Sequence, residues 1–241
     1  MSLLEISRLT KHFGGLTAVY DLSFSLDQGE ILGLIGPNGA GKTTVFNLVS
    51  GFIPPSSGTV TFDGRSVTNL RPHQICQLGL TRTFQVVQPF PDMTVLENVM
   101  IGAFVRHGRP AEAENKAREV LKRVALDHKA ATPGRSLTLL ELKRLEIGKA
   151  LATEPRLLLL DEVASGLNMV EVEDVLALVR QLNREGITFL IVEHVMKVIM
   201  SLCRRIIVLD FGKKIGEGTP QHVSRDQAVL EAYLGEEEYL A

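Results

Sequence analysis

Eight consecutive residues, Gly36-Pro37-Asn38-Gly39-Ala40-Gly41-Lys42-Thr43, bring three glycines, an ammonium and a hydroxyl into one short segment. Glycine accepts backbone angles closed to other residues, so such a segment can curl with several main-chain N–H groups aimed at one anion. Lys42 supplies a point charge for β- and γ-phosphates, and the Thr43 hydroxyl suits Mg²⁺. The neighbours are those the chemistry needs. Ile31 to Ile35 is a short apolar run that reads as a buried strand. Thr44-Val45-Phe46-Asn47-Leu48-Val49 reads as the opening of a helix, whose N-terminal partial charge favours an anion. Strand, glycine-rich turn and helix make a phosphate-binding P-loop. Gly36, Pro37, Asn38, Gly39, Ala40, Gly41, Lys42, Thr43 and Thr44 are therefore the expected binding residues for a nucleoside triphosphate.

A second set of chemically capable residues lies downstream. Leu157 to Leu160 end in Asp161-Glu162. So apolar a strand is buried on both faces, and its two carboxylates emerge at its carboxyl end, the edge where open parallel α/β sheets bind ligands. Asp161 suits the Mg²⁺ shell, and Glu162 is placed to polarise an attacking water. His194 follows the apolar run Phe189 to Val192 and Glu193, again at a carboxyl edge, and joins the candidate site.

The elements that must position these residues are readable in outline. Residues 3–30 alternate with period two, as in Leu22, Phe24 and Leu26, with Gly14-Gly15 as a turn. Val60 and Phe62 lie in another short strand that ends at Asp63-Gly64. These are antiparallel strands beside the P-loop core. From about Thr94 the spacing becomes helical. Ala113, Ala117, Val120, Leu121 and Val124 share one face, with Glu112, Glu114, Lys116, Arg118 and Lys122 between them. After about residue 152 the buried runs return, at Leu157 to Leu160, Phe189 to Val192 and Ile206 to Leu209, with a helix over Glu171 to Gln181. The expected fold class is α/β: a P-loop NTPase core of mostly parallel sheet, an antiparallel β subdomain and an inserted α-helical subdomain.

Composition narrows the partners. The 241 residues are 45% hydrophobic and carry a net charge of −2, so nothing global recruits nucleic acid or anionic lipid. Cys76 and Cys203 are far apart and lack metal-ligand spacing, which predicts reduced thiols in a cytosolic chain. No basic start precedes an apolar stretch, and no apolar run approaches the length that spans a bilayer, so a membrane role is expected to run through a partner.

Gly36–Thr43, Gln85, Leu157–Glu162 and His194, in this order and spacing, resemble the nucleotide-binding cassette of ABC transporters over essentially the whole chain. The resemblance implies one ABC ATPase domain over 1–241, with 1–84 and 153–241 as a RecA-like catalytic core and 85–152 as the helical subdomain. It implies ATP and Mg²⁺ as cofactors, with Thr43, Gln85 and Asp161 toward the metal. Glu162 corresponds to the catalytic base, His194 to the γ-phosphate sensor, and Gln85 to a residue touching Mg²⁺ and water beside the transporter interface. Phe13 corresponds to the aromatic that stacks on adenine. Thr10-Lys11-His12-Phe13-Gly14-Gly15-Leu16, Thr81-Arg82-Thr83-Phe84-Gln85 and the tail from Gly218-Thr219-Pro220 to Glu231-Ala232-Tyr233-Leu234-Gly235 look like the ATPases of branched-chain amino-acid importers. Urea-import and lipopolysaccharide-export ATPases carry similar phrases. Importers of this kind pair two cassettes with two permease subunits and an external solute-binding protein, which implies a peripheral place on the cytoplasmic face of the inner membrane. The apolar segment Gln85–Met100, with Val86, Val87, Pro89, Phe90 and Met93, is then the expected groove for the membrane subunit.

The chain departs from the family at its signature. Where the family has Leu-Ser-Gly-Gly-Gln, this sequence has Leu137-Thr138-Leu139-Leu140-Glu141. Thr138, Leu139 and Leu140 are the residues expected to cap ATP held by the opposite subunit. Thr138 keeps a hydroxyl that can cap the helix. Both glycines are gone, and Glu141 adds negative charge near the anion unless it points away. Val163 and Asn168 replace the usual proline and aspartate. Two arrangements follow: a heterodimer in which the leucine-bearing site is the weaker one, or a pair in which main-chain N–H groups suffice at both sites. An ABC-type ATPase acting on DNA or ribosomes, and a cassette that binds ATP only to dimerise, compete with the importer reading. The first lacks paired cassettes, coiled coils and a basic face here; the second leaves Lys42, Asp161, Glu162 and His194 unexplained.

Overall fold

The computed structural model describes residues 2–85, 87–193 and 196–237. The chain opens with a long hairpin, β1 (Ser2–Phe13) and β2 (Leu16–Asp27), turning at Gly14-Gly15. β3 (Ile31–Ile35) follows and leads through the glycine loop into helix α1 (Lys42–Val49). Then come β4 (Ser57–Phe62), β5 (Arg65–Ser66), α2 (Pro72–Leu78) and the short β6 (Leu80–Arg82). Three helices, α3 (Val95–Ala103), α4 (Pro110–Arg123) and α5 (Leu139–Leu151), precede β7 (Leu157–Asp161) and α6 (Met169–Arg184). The chain closes with β8 (Thr188–Val192), α7 (Met196–Leu202), β9 (Arg205–Asp210), β10 (Lys213–Gly218), α8 (Pro220–Val223) and α9 (Gln227–Glu237).

Among the described residues the strands form two sheets. An antiparallel one runs β2-β1-β4-β5, and a six-stranded one runs β10-β9-β3-β8-β7-β6, parallel throughout except at the β10 edge. The apolar strand runs are continuous because both faces of the second sheet are covered. In β7, Leu158 and Leu160 face the core shared with the helices, whereas Leu157 and Leu159 face the core shared with α1 and the antiparallel sheet. In β3, Ile31 and Ile35 divide from Leu32 and Leu34 in the same way. This pleat alternation buries every residue of both strands.

The amphipathic pattern at 113–124 becomes α4, with Ala113, Ala117, Val120 and Leu121 buried. α6 extends beyond the expected Glu171–Gln181 at both ends: Asn168 caps its start, accepting from the Val170 and Glu171 N–H groups at 3.0 and 3.1 Å, and Leu182 is buried in its last turn. α2 and β6 go beyond the sequence-based expectation. Three residues, Leu80-Thr81-Arg82, are too few to show a period, and only pairing with β7 makes them a strand.

Candidate functional site

The phosphate loop is shaped by contacts that exclude any side chain. A Cβ on Gly36 would lie 2.1 Å from the Leu209 carbonyl oxygen, and one on Gly41 would lie 2.4 Å from that of Ala18. Both glycines have positive φ, 151° and 102°. Gly41 is the N-cap of α1, no side chain caps that helix, and its first turn holds no acidic residue. The helix start thus presents its N–H groups and partial positive charge to the loop. Lys42 is buried, and its ammonium donates to the Gly36 and Pro37 carbonyls at 2.6 and 2.8 Å. A cationic cradle closed to side chains fits a polyphosphate.

A cavity of about 430 Å³ opens over this loop. Asn38, Gly39, Ala40, Gly41, Lys42, Thr43 and Thr44 line one part of it. Gln85 and Glu162 line another, and Phe13, Leu16, Thr17, Ala18 and Phe211 the rest. Phe13 is half exposed at the tip of the first hairpin, and the Lys11 ammonium sits 5.1 Å from its ring centroid. One ring face is thereby committed to the cation, so Phe13 can offer a base only the other.

Glu162 stands just beyond β7 with φ +50°, a left-handed angle that costs a non-glycine residue about 1 kcal/mol. Backbone and side-chain bonds hold it. Its N–H donates to the Val192 carbonyl at 2.9 Å, its carbonyl accepts from the Lys143 ammonium at 2.9 Å, and its carboxylate accepts from the Gln85 amide at 2.7 Å. Gln85 and Glu162, 77 residues apart in sequence, therefore meet on the cavity wall. Asp161 is buried and does not line the cavity; the Arg82 guanidinium pairs with it at 3.0 Å. His194 lies outside the described residues, as does Val86.

Thr138, Leu139 and Leu140 do not line this cavity. They open α5 on another face. Thr138 is its N-cap and accepts the Glu141 N–H at 3.3 Å, while the Glu141 carboxylate accepts the Thr138 N–H at 2.9 Å and pairs with Lys129 at 3.2 Å. Burial pushes the Glu141 pKa up, but the Thr138 N–H and Lys129 outweigh it and hold it below the usual value. The charge feared for this position is thus folded back into the cap. Leu139 is exposed and leans on Gly166, where a Cβ would sit 2.9 Å from its Cδ2; Leu140 packs against the core.

Besides Leu16, Thr17 and Ala18 of the hairpin, three residues of the site were not expected from the sequence. Arg82 and Lys143 are cations turned toward the carboxyl edge of β7, and burial lowers the pKa of each while neighbouring carboxylates raise it. Arg82 stands three residues before Gln85, a signal that was available; Lys143 sits in an ordinary helical sequence and had none. Phe211 is the third.

In comparison with known proteins, residues 19–165 match the family described as ABC transporter, and residues 213–239 match one described as branched-chain amino acid ATP-binding cassette transporter. The chain is 38% identical to the high-affinity branched-chain amino acid transport ATP-binding protein BraF of Pseudomonas aeruginosa, covering 97% of this chain and 98% of that protein. It is 39% identical to the similarly described LivG of Salmonella typhimurium, with the same coverage, 97% and 98%. The structure superposes on the ADP conformation of an ATP-binding cassette of an ABC transporter with a TM-score of 0.89, at 32% identity over 98% of this chain and 99% of that one.

Proposed function

This chain belongs to the ABC transporter ATP-binding family, and from that membership we propose that it hydrolyses Mg-ATP to energise uptake of branched-chain amino acids. The observation that carries the reading is the Gln85–Glu162 hydrogen bond of 2.7 Å on the wall of the phosphate-loop cavity. In support of it, the Glu162 carboxylate lines the same cavity as Lys42 and residues 38–44, the residues this reading assigns to the γ-phosphate.

In this reading Glu162 accepts a proton as the water oxygen bonds to the γ-phosphorus, and the bond from that phosphorus to the β–γ bridging oxygen breaks, giving ADP and inorganic phosphate. Gln85 holds Glu162 and the water in line. Thr43, Gln85 and Asp161 would hold Mg²⁺, which when bound neutralises charge on the β- and γ-oxygens. Arg82 pairs with Asp161 at 3.0 Å and so fixes where that carboxylate stands. His194 is assigned the γ-phosphate by family resemblance.

Thr138, Leu139 and Leu140 serve a second cassette rather than their own cavity, in a homodimer or a heterodimer; their separation from the cavity supports this. Among the described residues no helix is long and apolar enough to cross a membrane. Translocation falls to permease subunits, fed by an external solute-binding protein, with this chain peripheral on the cytoplasmic face. Half-exposed Phe90, with Val87, Pro89 and Met93 partly buried in the same segment, is the surface such a subunit meets. Residues 85–152 form the helical subdomain that carries it.

The test is reconstitution with the permease in vesicles holding ATP inside, with leucine and urea offered in parallel together with their binding proteins. ATP-dependent leucine uptake that Glu162→Gln abolishes is expected. Uptake of urea alone would overturn the cargo, and no ATP turnover would overturn the whole reading.

A further inference from the structure

The β9–β10 connection is a two-residue turn, Phe211-Gly212, since Asp210 pairs directly with Lys213. Both turn residues have positive φ, 40° and 78°. Such a turn ordinarily takes Asn, Asp or Gly at its first position, and a phenylalanine there is strained by about 1–2 kcal/mol. Phe211 is also 85% exposed, more than the other exposed large apolar residues of the described chain. Strain and exposure together mean that turn geometry and core packing both disfavour this residue, so neither explains it.

Its surroundings do. The turn is bolted to the phosphate loop and to β2. The Gly212 N–H donates to the Ala40 carbonyl at 3.0 Å, and the Gly212 carbonyl accepts from the Tyr20 N–H at 2.8 Å. A Cβ on Gly212 would lie 2.7 Å from the Ala18 carbonyl oxygen. The ring is thus carried on a frame continuous with the residues that cradle phosphate, and it lines the same cavity as Phe13, Leu16 and Ala18. Apart from Thr17, the lining contributed by the hairpin and this turn is apolar, whereas the phosphate loop contributes backbone N–H groups, hydroxyls and the Lys42 ammonium. A nucleotide has one flat apolar part to match the former, the base.

We propose that Phe211 is a nucleobase contact, a second aromatic wall beside Phe13 that sets affinity through the nucleoside half of the ligand. This rests on the ATP reading above. With Lys11 over one face of Phe13, a single stacking face is available there. Phe211 adds a separate ring fixed to the loop itself, so base and triphosphate are bound by one rigid unit.

The test compares wild type, Phe211→Ala and Phe211→Tyr by calorimetric titration with ATP and with inorganic tripolyphosphate, which lacks a base. Phe211→Ala is expected to weaken ATP about five- to tenfold, the loss of roughly one stacking contact, with tripolyphosphate unchanged; Phe211→Tyr restores ATP affinity. Equal ATP affinity in Phe211→Ala and wild type would overturn the proposal. So would an equal loss of ATP and tripolyphosphate, which would make Phe211 a support of the loop. Wild type that binds neither ligand removes the ATP reading itself, a failure distinct from either.

Discussion

Arg82 Nη2 donates to Asp161 Oδ2 at 3.0 Å with both side chains almost buried, 7% and 3% exposed. The same guanidinium donates to Asn47 Oδ1 at 2.6 Å and lies 4.8 and 5.5 Å from the rings of Phe84 and Phe52. One side chain therefore ties the P-loop helix, the carboxyl edge of β7 and the segment leading to Gln85.

Removing one partner of a buried pair costs far more than removing a surface pair, because the remaining charge stays desolvated. Arg82→Ala is therefore expected to cost about 3 kcal/mol, lowering Tm by roughly 6–12 °C in a chain of this size. Arg82→Lys keeps the charge but loses the planar fork that reaches Asp161 and Asn47 together, and falls between. Calorimetry decides it; a Tm change under about 2 °C for Arg82→Ala would contradict the pairing.

Glu162→Gln preserves shape and removes the ability to take a proton. Phosphate release is expected to fall at least about a hundredfold while ATP affinity, read by titration, stays near wild type. Gln85→Ala leaves the base in place but unpositioned, so its loss should be smaller, roughly tenfold. A Gln85→Ala variant slower than Glu162→Gln would reverse the two roles. Light scattering on Glu162→Gln with Mg-ATP then shows whether the trapped cassette pairs with its own copy.

The two signature leucines separate by packing. Leu139 is 42% exposed, so Leu139→Gly should cost about 1 kcal/mol of helix propensity. Leu140 packs against the core, and Leu140→Gly should cost about 2–3 kcal/mol. Urea unfolding of each single variant checks the order. In the assembled transporter, the double glycine variant should raise turnover if these leucines obstruct phosphate; unchanged turnover would show that main-chain N–H groups suffice.

Acid should loosen the start of α5. The Glu141 pKa lies below its ordinary 4.5 when folded, despite burial, because of Thr138 and Lys129. A depressed folded pKa means the stabilisation is complete above the ordinary value and lost as pH falls through the folded one. Denaturant midpoints should therefore drop as pH falls below the ordinary carboxylate value of 4.5, and Glu141→Gln should flatten part of that drop. A slope unchanged in Glu141→Gln would assign the acid sensitivity to other carboxylates.

Much of this was legible along the chain, and for a local reason. Gly36 to Thr43 form their loop from neighbours in sequence. Leu157 to Leu160 declare a strand buried on both faces by having no polar residue at either parity. The α4 face follows from a repeat within one helix, and the Thr138 cap from a hydroxyl three residues before a glutamate. What stayed hidden was non-local. Arg82 meets Asp161 across 79 residues, and Lys143 reaches back to the Glu162 carbonyl across 19. Lys129, which adds an ion pair to the capped Glu141, lies in a connection between helices that has no period to read.

The sequence by itself determined that this chain forms a P-loop and carries an acidic strand edge, because those elements are built from consecutive residues with steric and charge requirements of their own. Only the tertiary structure decided which side chains complete the site. Gln85 on Glu162 and Arg82 on Asp161 are brought together by strand order in one sheet, where β6 lies beside β7, and Phe211 joins Phe13 in the cavity because the β9–β10 turn of that sheet is hydrogen-bonded to β2 of the other. Strand order is set by which apolar faces can be buried together, a property of the whole core that no local spacing encodes.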